Sequence, residues 1–157
     1  MESKGGADVT KTETKPAPEG WTPLGGSSAF VRHLGPLYMK EASEHRVIGM
    51  RVVDEHLNTR GIAHGGMLVT LADTALGVAL SLSERPPRPM VTVSLSVDFA
   101  SAARLGDWVE AHVEIQRSGR QLAFASCRLL VEGRHVLRAS GVFAVVAPAR
   151  AREDFEG

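Results

Sequence analysis

The chain has 157 residues, with 18 Lys and Arg against 18 Asp and Glu, so its formal net charge is zero. That length suits one domain of ordinary size and leaves little room for a second. The neutral balance gives no global attraction to nucleic acid or to an anionic membrane, and 43% hydrophobic with 23% charged residues is a globular composition.

Residues 1–20, MESKGGADVTKTETKPAPEG, are polar and rich in Gly and Pro, and read as a disordered tail. The stretch lacks the apolar core of a signal peptide, and Glu2, Asp8 and Glu13 speak against an organelle transit peptide. Residues 147–157 read as a frayed C-terminus, leaving 21–146 as a single domain. Ser27 or Ser28 can cap a short helix over 27–35, which Gly35-Pro36 ends. Gly25-Gly26-Ser27-Ser28 itself reads as a linker or cap. Two extended segments follow, around Ala42-Ser43-Glu44, the second running from His45 to Asp54.

A long helix is predicted from about Gly65 to Ser83, apolar on all sides, and the loop ERPPRP at 84–89 breaks it. The period then changes to two. In VTVSLSVDF, Val91, Val93, Leu95, Val97 and Phe99 share one face, and Thr92, Ser94, Ser96 and Asp98 share the other. Asp107–Arg117 repeats the pattern, with Val109, Ala111, Val113 and Ile115 inward. After the turn Ser118-Gly119 come a strand from Arg120 to Val131, the turn Glu132-Gly133, and a last strand from Arg134 to Val146. Cys127, the single cysteine, sits in the apolar run LAFASCRLLV as a packing residue and suits a reducing, cytoplasmic setting. No apolar run approaches the ~20 residues that span a bilayer. The pattern is α+β: an antiparallel sheet, read as a meander after the helix, wrapped on one central helix that a second copy helps to cover.

No metal-ligand spacing, phosphate loop, dinucleotide fingerprint or nucleophile elbow occurs, which turns attention to the helix. Its first-turn N–H groups lack partners and its dipole is positive there, so Gly65-Gly66 can form an oxyanion site; a tight strand-to-helix turn is the alternative. Asp73 lies among Ala72, Thr74 and Ala75. A carboxylate buried there is costly unless paired, so it is either a satisfied structural acid, an exposed one, or a general base or nucleophile. His64 and Asp73 are nine residues apart, ~180° around the helix with ~13 Å of rise. One chain cannot bring both to one atom. Two helices packed antiparallel can, which predicts a site shared across a dimer.

Asn58, Gly61, His64-Gly65-Gly66 and Leu71-Ala72-Asp73-Thr74, followed by VTVSLSVDF, LGD at 105–107 and SGRQLAFASCRL at 118–129, resemble the hotdog-fold acyl-CoA thioesterases of the PaaI-like, phenylacetate-pathway branch. The resemblance spans about residues 35–146. It implies a curved antiparallel sheet around one helix, and hydrolysis of an acyl-CoA without a metal or cofactor, coenzyme A being part of the substrate. It also implies a homo-oligomer, a dimer or a tetramer built from two dimers. By the same resemblance Gly65 donates its N–H to the thioester oxygen, and Asp73 of the other subunit acts as base or nucleophile. Asn58 positions water or the carbonyl, and His64 orients the Asn58 loop and fixes the helix start. Thr92 stands where related enzymes carry a hydroxyl that assists the water, whereas strict alternation turns it away from the helix. Gly66 belongs to the same substrate-binding turn. Arg88 and Arg120 are expected to reach the CoA phosphates. A non-catalytic acyl-CoA-binding protein of the same fold is the alternative, and a hotdog dehydratase fits less well because His64 is the single histidine near the helix.

Overall fold

A computed structural model describes residues 15–42 and 45–148 of the chain. The short helix α1 spans Ala29–Leu34 and the long helix α2 Gly65–Leu82. Seven strands accompany them: β1 Thr22–Pro23, β2 Tyr38–Glu41, β3 Arg46–Arg51, β4 Met90–Phe99, β5 Trp108–Ser118, β6 Leu122–Val131 and β7 Arg134–Val145. All pair antiparallel in one sheet, in the order β1-β2-β3-β5-β6-β7-β4. The first fourteen residues of the expected N-terminal tail, and 149–157 of the C-terminal one, lie outside the described residues. Residues 15–20, expected to belong to a disordered tail, lie against the sheet, where Arg51 Nη2 donates to Pro16 O at 2.7 Å.

The sheet curves around α2 and contacts it through β3 to β7. Met67, Leu68, Leu71, Ala72, Ala75, Leu76 and Leu80 form the buried stripe, at the i, i+3, i+4 spacing of one helix face. By length and composition α2, with 18 residues and mean hydropathy 1.5, could cross a membrane, contrary to the expectation from run length. Its apolar stripe is instead occupied by the sheet. The helix is also not covered on all sides. Val69, Thr70, Asp73, Thr74, Gly77 and Val78 make a half-exposed face, so Asp73 does not sit in a dry core.

Two expectations about the strands are corrected. The strands after α2 are not one meander. β5, β6 and β7 are, but β4 pairs with β7 at the sheet's edge, and β5 pairs with β3. The connection from Ala100 to Asp107 crosses the start of α2, where Ala63 N donates to Ala103 O at 2.9 Å and Ile62 bridges Arg104. Period-two patterns report which residues share a face, not which strands are neighbours.

The alternation in β4 is also interrupted. Its register against β7 shifts between Thr92 and Ser94, a bulge that takes up Val93. One extra residue moves everything before it to the opposite face. Met90, Leu95 and Val97 pack toward the core, whereas Val91 and Val93 are 49% and 59% exposed. Thr92 thereby turns toward α2. A similar shift lies between Ile115 and Arg117 in β5, and Ile115, expected inward, is 39% exposed.

Candidate active site

The start of α2 is built by its own cap. His64 has extended backbone and its Nδ1 accepts the Gly66 N–H at 2.9 Å. The amides of Met67 and Leu68 bond His64 O at 3.0 and 3.2 Å. That leaves the Gly65 N–H without a partner among the described residues, at the positive end of an 18-residue helix. A side chain at Gly65 would come within 3.2 Å of the Phe99 ring, which lies over the turn and is 57% exposed. Phe99 is a site neighbour that the β4 pattern assigned to the core.

Asn58 stands in the loop that feeds this turn. Its Oδ1 accepts the N–H of Arg60 at 2.9 Å and of Ile62 at 3.4 Å. The carbonyl end is thus used within the loop, and the amide NH2 is the free end, a donor rather than an acceptor. His64 fixes the helix start as expected of a cap. The Asn58 loop is held by backbone instead: Asn58 N to Ile62 O at 2.8 Å and His64 N to His56 O at 2.8 Å.

His56, 3% exposed, is the buried polar residue of this region. Its Nδ1 accepts the Val53 N–H at 3.1 Å, so the ring proton sits on Nε2, which donates to Leu34 O at 2.6 Å. The ring ties the end of α1 to the segment leading into α2.

Asp73 lies two turns into α2. The Thr92 hydroxyl donates to its Oδ1 at 2.7 Å. The bulge at Val93 is what allows this bond, and Asp73 lines a cleft of about 480 Å³. Leu24 to Ser28, Phe30 and Val31 line that cleft from one side; Thr70, Thr74, Gly77, Leu95 and Phe143 line it from the other. Among the described residues, Asp73 is its only charged lining residue. The Gly-Gly-Ser-Ser stretch, read from sequence as a linker or cap, is therefore both: Ser28 Oγ caps α1 through the Val31 N–H at 3.3 Å, and the stretch walls the cleft.

Gly65 and Asp73 belong to one helix but not to one site within the chain. Eight residues separate them, ~12 Å along the axis, beyond the reach of a single carbonyl group.

The two arginines fall elsewhere. Arg88 is committed inside the fold: Nη1 donates to Gly119 O at 3.0 Å, and Nη2 to Ser118 Oγ at 2.7 Å and Glu84 Oε1 at 3.2 Å. It clamps the proline loop to the β5–β6 turn through its two terminal nitrogens, while its buried Nε has no partner among the described residues. Arg120 is exposed beside Arg117 in a surface hollow of about 750 Å³ with Gln121, Leu122 and Phe124. That hollow shares no lining residue with the Asp73 cleft.

A long helix wrapped by an antiparallel sheet is the hotdog arrangement, with a glycine amide unpartnered among the described residues at the helix start and a carboxylate lining a cleft. Residues 60–137 match the thioesterase superfamily model. The chain is 46% identical over 127 residues to the Pseudomonas aeruginosa protein PA0474, covering 80% of this chain and 95% of that one. It is 34% identical over 115 residues to human acyl-coenzyme A thioesterase 13, covering 68% and 81%. Among solved structures, the phenylacetic acid degradation protein PaaI of Thermus thermophilus superposes with a TM-score of 0.67 at 28% identity, covering 76% of this chain and all of that one. The chain belongs to the thioesterase superfamily.

Proposed function

We propose that the protein hydrolyses acyl-CoA thioesters to the free acid and CoA. The observation that carries this reading is the Asp73 carboxylate held by Thr92 in a cleft whose other described lining residues are uncharged. With Oδ1 occupied, Oδ2 takes a proton from water as water attacks the thioester carbon; the carbonyl oxygen gains negative charge, and the collapsing intermediate releases the CoA thiolate. A thioester is activated enough that a carboxylate base and an N–H donor suffice, so the proposal includes no metal. The same carboxylate could instead attack the carbon directly, expelling the CoA thiolate and forming a mixed anhydride that water then opens; in single turnover in H2-18O, label entering Asp73 reports that route, because water attack on the thioester places none there. The similarity to human acyl-coenzyme A thioesterase 13 supports CoA as the leaving group.

The oxyanion donor comes from a second copy. β4 is the free edge of the sheet and carries both halves of the site: Thr92 against Asp73, and Phe99 against Gly65. Antiparallel pairing of β4 with its own copy about an axis at Ser96 sets Leu95 opposite Val97 and Ser94 opposite Asp98. The bulge at Val93 absorbs one residue, so Thr92 then falls opposite Phe99. Each Asp73 would meet the other copy's Gly65, with two sites per dimer. Exposed Val91 and Val93 favour further association of the sheet faces into a tetramer. Arg120, with Arg117, is the remaining candidate for a phosphate contact.

The test is thiol release from a panel of acyl-CoAs by wild type and Asp73→Asn. Turnover by wild type that the variant loses supports the reading. CoA-ester binding without turnover would make the protein a non-catalytic binder.

A further inference from the structure

The cleft at Asp73 is walled on one side by residues that precede the thioesterase match at 60–137. Leu24, Phe30 and Val31 face it across Gly77 and Val78 of α2 and Leu95 of β4. Gly77 lies one turn past Asp73 on the same helix face, and its missing side chain opens the cleft toward Phe143, 3.4 Å from where a Cβ would stand. Among the described residues the walls beyond the carboxylate are apolar or hydroxylic, and Asp73 is the only charge. A second carboxylate on an acyl group would be repelled there, whereas a hydrocarbon chain or ring would lose water on both sides.

The wall from Leu24 to Val31 is fixed at both ends. Leu24 N donates to Leu37 O at 2.9 Å, and Leu34 O accepts from His56 Nε2 at 2.6 Å. Between them the Arg32 guanidinium bonds Ser27 O and Ser28 caps α1. Yet Phe30 on this anchored helix is 64% exposed at the cleft. A large ring held in water by a pre-formed wall marks a surface made to be covered.

We infer that residues 24–31 select the acyl group: the segment forms the outer wall of an acyl subsite for uncharged hydrocarbon acyl groups, with Phe30 its principal contact. This rests on the reading of Asp73 as the reacting centre and adds what sets substrate choice.

The test uses S-alkyl-CoA thioethers, which bind but cannot be hydrolysed, so it does not depend on turnover. Calorimetric Kd values for S-ethyl- and S-octyl-CoA are measured for wild type and Phe30→Ala, whose exposed site makes misfolding a small risk. Wild type should prefer the octyl ligand, and Phe30→Ala should lose about tenfold of that preference. Leu24→Ala should reduce it in the same direction. An octyl-to-ethyl ratio within twofold of wild type in Phe30→Ala, or no octyl preference in wild type, overturns the inference. Acyl-CoA hydrolysis measured alongside judges the catalytic reading separately: selective binding without hydrolysis would remove the catalytic reading and leave the selectivity standing.

Discussion

Asp73 and Thr92 are the residues on which the proposed chemistry turns. The hydroxyl holds one oxygen of the carboxylate at 2.7 Å, and the residue lines the cleft. Asp73→Asn keeps the shape but removes the proton acceptor, and kcat should fall by about 10²–10⁴. Thr92→Val keeps the volume but frees the carboxylate to rotate. A hydrogen bond to a charged group is worth about 1.5–3 kcal/mol, so kcat should fall roughly 10- to 100-fold with a smaller change in KM. Steady-state kinetics of both variants checks the pair. Cys127 is the converse case, a residue without a part in the reaction. Burial pushes its thiol from 9.0 up to about 12, with Arg128 pulling weakly the other way. The native thiol stays neutral between those values while the unfolded one ionises, so stability should fall as pH rises above about 9. Urea midpoints at pH 7 and 10 should fall more for wild type than for Cys127→Ala, and equal falls would contradict the assignment.

At the scale of elements, the start of α2 makes the sharpest prediction. Proline is well tolerated at the first position of a helix, where its missing N–H is not used by the helix. His64 before it is already extended, as a residue preceding proline must be. Gly65→Pro should therefore retain the helix by circular dichroism yet lose the oxyanion donor, lowering kcat by about 10²–10³. Gly65→Ala keeps the N–H and asks only that the exposed Phe99 ring shift from 3.2 Å, so most activity should remain. If both variants lose activity equally, the glycine matters for space and not for its amide.

The elements themselves were largely legible in sequence. Ser28 and Gly35 bound α1, His64-Gly65 opens α2, and the period-two runs give β4 to β7. What escaped was set by pairing. A bulge leaves no mark in an alternating string, so VTVSLSVDF showed five apolar residues on one face where the strand divides them, and Thr92 was turned the wrong way by alternation. Only the resemblance pointed to it. Asp73 seemed enclosed because Gly77 and the alanines look apolar on paper, yet with Thr70 and Thr74 they form an open face. His56 escaped because both its partners are backbone groups, one of them 22 residues away. Gly49 shows the same limit: it reads as one weak strand residue, but a Cβ there would come within 2.4 Å of Trp108 and 2.7 Å of Trp21, which stack on it at the back of the sheet.

For the whole molecule, the central claim is that neither half of the site works alone. In the proposed site, Gly65 comes from one copy and Asp73 from another. The direct measurement mixes Asp73→Asn with Gly65→Pro under conditions that exchange subunits and compares the activity with each variant alone. In a mixed dimer one site has both substitutions and the other has neither. With statistical exchange of equal amounts, half the dimers are mixed, and activity should recover to about one quarter of wild type. A mixture no more active than the mean of its two inactive components, with exchange verified by a mass tag, would contradict the shared site.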